Sequence, residues 1–261
     1  IIVSQEKRKK IIIDEGKKIA IKKNLDINFD EKLLEEVSSL VENPVVFMGS
    51  FDAKYLSLPD EVLITSMKKN QKYFPFYKKN KNLSNHFLIV SNTKPNDGGK
   101  LIINGNEKVI LARLEDATFF WNKDLKNKFN KEGEKLKKII FHNKLGSLYD
   151  KIERMQKIYK YLSYVIPLSS NEKVYLENSI IICKNDLSSE LVREFPSLQG
   201  IMGYYYSKKS GFHEEVSKAV KDHYKPSGPF DACPSTKISK ILALIDKLDT
   251  LVGFFLIDAG P

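Results

Sequence analysis

Apolar positions recur every three or four residues along most of this chain, and a minority of segments alternate instead. Gln5 to Ile21 interleaves apolar triplets with lysines and predicts a basic amphipathic helix. Asp30 is placed to cap a second helix, with Leu33, Leu34, Val37, Leu40 and Val41 on one face and Asn43-Pro44 as its stop. Val45 to Phe51 reads as a strand. Pro59 opens another helix, with Asp60 and Glu61 at its positive end and Lys68 and Lys69 at its negative end. Tyr73 to Tyr77 and His86 to Ser91 read as strands, and Lys94 to Lys100 as a loop.

After Gly105 the strand signals fade. Leu114, Ala117, Trp121 and Leu125 fall at helical spacing. A long helix is predicted from Glu134 to Val165, striped by Leu148, Ile152, Met155, Tyr159 and Leu162 and closed by Pro167. Segments 171–195, 212–224 and 236–257 read as further helices. Within Lys184 to Tyr206, Asp186 stands at an expected helix N-terminus, ahead of a stripe of Leu187, Leu191 and Phe195. Pro196 ends that helix, and Gly200 and Gly203 allow close backbone approach. The expected class is α+β: a small α/β module over residues 1–112, then an all-α module over 113–261.

Composition adds an electrostatic constraint. A formal charge of +10 favours an anionic partner such as RNA. The two cysteines, Cys183 and Cys233, form no Cys-x-x-Cys pair, which excludes a zinc knuckle and favours a reducing, cytoplasmic setting. No run of about twenty apolar residues offers a membrane span, and the charge-interrupted start is not a signal peptide.

Two basic surfaces are candidates for RNA contact. Lys68, Lys69, Lys72, Lys78 and Lys79 surround Tyr73, Phe74, Phe76 and Tyr77, with no acid from Ser66 to Asn80. Lysines suit phosphates and exposed aromatics suit bases, although alternation requires part of this strand to face a core. Lys128 to Lys160 carries ten basic residues, among them Lys135, Lys138 and Lys144, against four acidic ones. The primary candidates are Lys68, Lys69, Lys72, Tyr73, Lys135, Lys138 and Lys144. Arg113, Glu115 and Asp116 beside Trp121 suggest a structural salt bridge where the modules join. Asp246 and Asp249 share one helical face, and a salt bridge to a neighbouring helix is expected of them ahead of acid/base work. Phosphate-binding glycine motifs are missing.

Ordered blocks then identify a family. NQKYFPF (Asn70 to Phe76), GNEKVILARLEDATFFW (Gly105 to Trp121), KLGSLYDKIER (Lys144 to Arg154), EFPSLQGIMGYYY (Glu194 to Tyr206) with Tyr224 and Pro226, and the Asp246-Lys247-x-Asp249-x-Leu251 run resemble the β subunit of bacterial glycyl-tRNA synthetase. The resemblance runs from about Glu31 onward. It implies a fragment of a longer chain, lacking a C-terminal anticodon-binding region. It further implies an α2β2 enzyme that joins glycine to tRNA(Gly) using ATP and Mg, with the catalytic site on the α subunit. This fragment would then bind no cofactor and carry no catalytic residue or metal, serving tRNA binding and α-subunit docking, with neither membrane nor DNA as partner.

The helical half also resembles a degenerate His-Asp phosphohydrolase module. It has no His-Asp dipeptide, and Asn185-Asp186 stands near the expected place. A metal would have to use Asp186, His142 or His223, and His223 reads more simply as a cation at a helix C-terminus. The alternatives are a metal-dependent phosphohydrolase and an RNA-binding module outside translation.

Overall fold

A computed structural model describes residues 1–257. The chain divides into two compact units, the division falling between Phe119 and Phe120. In chain order, the elements up to that point are α1 (Gln5–Lys22), β1 (Asp26–Ile27), α2 (Glu31–Leu40), β2 (Val45–Ser50), α3 (Asp60–Thr65), β3 (Phe74–Tyr77), β4 (Leu83–Ser91) and α4 (Lys100–Leu125), within which the division lies.

In the first unit the four strands form one antiparallel sheet in the order β1-β3-β4-β2. Asp30 accepts from the Leu33 amide and caps α2, as the sequence predicts. On one side of the sheet, Phe74, Phe76 and Leu88 pack with Ile12 and Ala20 of α1 and Leu33, Leu34 and Val37 of α2. Gly16 of α1 is required there, since a Cβ would come within 2.8 Å of the Phe29 ring. Phe87 lies in a second aromatic group, stacked on Tyr73 at 4.6 Å and facing Phe51 at 6.5 Å. Tyr73, Phe74 and Phe76 are therefore all buried, and the alternation of β3 does not mark a solvent face.

The second unit, from Phe120, is helical apart from a small hairpin. It contains β5 (Ile140–His142), β6 (Gly146–Ser147), α5 (Leu148–Leu162), α6 (Ser170–Ile182), α7 (Glu190–Glu194), α8 (Ile201–Lys209), α9 (Glu214–Asp222) and α10 (Lys237–Leu256). The expected long helix from Glu134 to Val165 is broken: Phe129–Lys138 forms 3-10 turns, the β5–β6 hairpin follows, and only then does α5 start. Gly146 at φ +85° makes the turn, and a Ser147–Asp150 capping box starts the helix. That Ser-x-x-Asp signal was present in the sequence. The expected helix over 171–195 is likewise split: α6 ends at Ile182, a 3-10 turn covers Asn185–Ser188, and Ser189 caps α7.

Trp121 is 8% exposed, stacked on Tyr206 at 5.5 Å and edge-on to Tyr205 at 6.3 Å. Trp121→Ala is expected to cost about 3–5 kcal/mol in urea unfolding, as for other buried large aromatics. A loss below about 1 kcal/mol would show that this stack contributes little to the core.

Candidate functional site

A subset of charged and polar residues of the helical unit is buried in its interior. Lys184, just beyond the end of α6, is buried, and its ammonium lies 2.8 Å from His223 Nε2, 3.2 Å from Asp246 Oδ2 and 3.9 Å from the Tyr224 ring centroid. The other ring nitrogen, His223 Nδ1, sits 2.7 Å from the Val220 carbonyl oxygen. A carbonyl only accepts, so Nδ1 carries the proton and Nε2 accepts from Lys184. Burial, then the adjacent Lys184 charge, pushes the His223 pKa down to about 3. The expectation that His223 is a helix-terminal cation is thus corrected: it follows α9, but it is buried and neutral.

One turn along α10, Asp249 completes a second cluster. Lys151 of α5 donates to Asp249 Oδ2 at 3.0 Å and to Thr250 Oγ1 at 2.7 Å. Arg154 grips the same carboxylate through Nε at 2.6 Å and Nη2 at 3.2 Å. Asp246 Oδ1 bridges the clusters, 3.2 Å from Lys151 and 3.1 Å from Lys184, at ion-pair distance but without hydrogen-bond alignment. Burial works against the Asp246 carboxylate, yet Lys184 and the neighbouring charges hold its pKa well below the usual range. The Asp246–Asp249 pair is therefore the expected salt bridge to neighbouring elements.

Two further aspartates cap helices other than their own. Asp186 Oδ2 accepts from the amides of Gly200 and Gly203, the latter at 3.0 Å, at the N-terminus of α8. Gly200 holds φ +77°, and a Cβ on Gly203 would meet Val220 at 2.5 Å and Asp186 Oδ2 at 3.2 Å. Asp186 Oδ1 is buried without a hydrogen-bond partner, and burial raises the carboxyl pKa to about 6. Asp124 accepts from the Glu190 and Leu191 amides at 3.0 and 3.1 Å, opening α7, and from the Tyr206 hydroxyl at 2.8 Å. The Cys183 thiol is buried and pushed up to about 12, so it offers no thiolate nucleophile.

Of the residues suggested for a metal, His142 lies in the β5–β6 hairpin and accepts from the Lys144 amide; His213, outside that set, caps α9 and stacks on Tyr175. Among the described residues, no three His, Cys, Asp or Glu side chains form a group able to hold a metal ion.

The basic candidates divide by partner. Lys68 pairs with Asp30 at 3.1 Å, Lys72 with Glu36 at 2.7 Å and Lys135 with Glu132 at 2.7 Å. Lys69, Lys138 and Lys144 are exposed, with no ion pair among the described residues. Tyr73 is 3% exposed, and its hydroxyl donates to Asn106 at 2.6 Å. Burial raises that phenol to about 12, so its ring serves the core and is not presented to bases. Lys151 and Arg154, counted with the second basic surface, turn inward to Asp249.

The model of the glycyl-tRNA synthetase beta subunit family matches residues 1–261. The chain belongs to the glycyl-tRNA synthetase beta subunit family. Similar curated relatives include the glycine–tRNA ligase beta subunits of Limosilactobacillus reuteri (strain DSM 20016) and Rickettsia felis, each 44% identical, and of Dictyoglomus turgidum, 40% identical. Each alignment covers the whole of this chain, which spans 38% of the relative's length. The family blocks fall on structure-bearing positions: LQGIMG supplies the α8 amides taken by Asp186, and the Asp-Lys-x-Asp run supplies both buried acids of α10.

Two of the buried titrating groups make opposite demands on stability. His223, about 3 when folded and about 6.5 when unfolded, contributes stability that is lost as pH falls from 6.5. Asp186 is raised above its ordinary 3.8 to about 6, so it binds a proton more readily when folded and offsets part of that loss between pH 6 and 4. Asp186→Asn is therefore expected to make stability fall more steeply with acid over that range, by up to about 1.4 kcal/mol per pH unit. Equal slopes for the variant and the parent in urea melts would contradict this.

Proposed function

We propose that this chain is a tRNA-binding and subunit-docking body of a glycyl-tRNA synthetase β subunit. The complete enzyme attaches glycine to tRNA(Gly) with ATP and Mg, and the reacting centre lies on the α subunit of an α2β2 assembly in the cytoplasm. The observation that carries this reading is the family match along the full chain, joined to the way the interior polar residues are used. Asp124, Asp186, Asp246 and Asp249 are spent on helix amides or on Lys151, Arg154 and Lys184. Asp249 also lines a cavity with Leu145, Val252 and Leu256, and there Lys151 and Arg154 hold its carboxylate.

The helical unit is read as a degenerate His-Asp phosphohydrolase module. In support, His223 Nε2 and the Asp246 carboxylate both face the Lys184 ammonium, so a divalent ion would have to displace a fixed positive charge. That favours a structural role over metal-dependent hydrolysis. Lys69, Lys138 and Lys144 are the free candidates for phosphate contact. Lys68 and Lys72 are also available, because partly exposed ion pairs hold them by only about 0–1 kcal/mol, whereas the exposed Lys135 pairs with the buried Glu132.

The full-length β chain is expected to glycylate tRNA only when combined with the α subunit, and to bind tRNA with an affinity that falls steeply between low and high salt. Glycylation by the β chain alone would overturn the division of labour, and salt-independent binding would overturn the phosphate contacts.

A further inference from the structure

We infer that the C-terminal end of α5 is a stacking site for unpaired nucleotides, formed by Tyr161 and Tyr164 and flanked by Lys157 and Lys160. Tyr161 is 78% exposed and Tyr164 88% exposed, and among the described residues neither side chain has a hydrogen-bond or ring partner. The inner face of α5 is the stripe of Leu148, Ile152, Met155 and Tyr159, so these two tyrosines stand clear of the core.

Helical geometry places the four side chains together. The turn continues past α5, with Tyr164 N donating to the Tyr161 carbonyl and Ile166 N to that of Leu162. Lys157 and Tyr161, and Lys160 and Tyr164, are each four residues apart, and the two tyrosines are three apart, so all four lie along one outward face. Both lysines are exposed and form no ion pair among the described residues.

The chemistry favours RNA over a protein surface. Two exposed rings offer π-faces to successive bases, and two unneutralised ammonium groups beside them suit the connecting phosphates. An apolar protein partner would leave both lysines without counter-charge. Duplex RNA keeps its bases stacked internally, so the site is suited to an unpaired segment. This inference rests on the proposed tRNA-binding role and assigns it to residues other than Lys69, Lys138 and Lys144.

The test uses the full-length β chain, alone and with its α subunit, and measures binding of tRNA, a short single-stranded oligouridine and an RNA duplex across salt. Tyr161→Ala with Tyr164→Ala should weaken tRNA and oligouridine binding about five-fold or more, leaving duplex binding and the salt slope unchanged. Tyr161→Phe with Tyr164→Phe should bind as the parent does. Lys157→Ala with Lys160→Ala should make the salt slope shallower by about 1.5. Parent-like RNA binding by the double alanine variant would overturn the inference, and more so if that variant lost the α subunit, because Tyr161, Tyr164 and the exposed Val165 would then form a protein-docking face. A parent chain that binds no tRNA even with the α subunit would bring down the tRNA-binding role itself.

Discussion

Two lysine ammonium groups inside a helical core set the terms for the second unit. Removing a charge from water costs several kcal/mol, and only close opposite charges and hydrogen bonds offset it. Lys151 comes from α5, Lys184 from beyond α6, His223 from the end of α9, and Asp246 and Asp249 from α10. These five residues tie four helices to one mutual register. An apolar stripe such as Leu148, Ile152 and Met155 tolerates a shift by one residue better than a buried ammonium does, because the shift would leave a charge unpaired.

The same economy appears at the helix starts. Asp186 and Asp124 satisfy buried amide groups that have no partner within their own helices at the N-termini of α8 and α7, each from a different segment of chain. The glycines of LQGIMG follow from this: Gly200 supplies the left-handed turn, and Gly203 admits both the Asp186 carboxylate and Val220. The LQGIMG and Asp-Lys-x-Asp blocks thus specify how the helices join.

Local patterns showed much of this in advance. The Asp30 cap, the strand from Val45 and the apolar stripe of α5 are all written in periodicity and turn chemistry. The breaks were harder to see. The hairpin before α5 interrupts an otherwise helix-compatible lysine-rich stretch, and its one local marker was the capping box at Ser147. The neutrality of His223 was not legible, because it depends first on burial and then on Lys184, thirty-nine positions away. The inward turn of Lys151 and Arg154 was equally hidden, since composition counts a buried lysine and a surface lysine alike. Tyr73 shows the converse: its basic neighbours suggested a nucleic-acid surface, while a sheet covered on both sides placed it in the core.

The central claim is that the buried lysines and aspartates hold the helical unit together as a coupled set. A double-mutant cycle between Lys184→Met and Asp246→Leu, read by urea unfolding, tests it most directly. The account predicts that each single change is destabilising and that the pair is less damaging than their sum, with a coupling of about 1–3 kcal/mol. Additivity to within about 0.5 kcal/mol would contradict it.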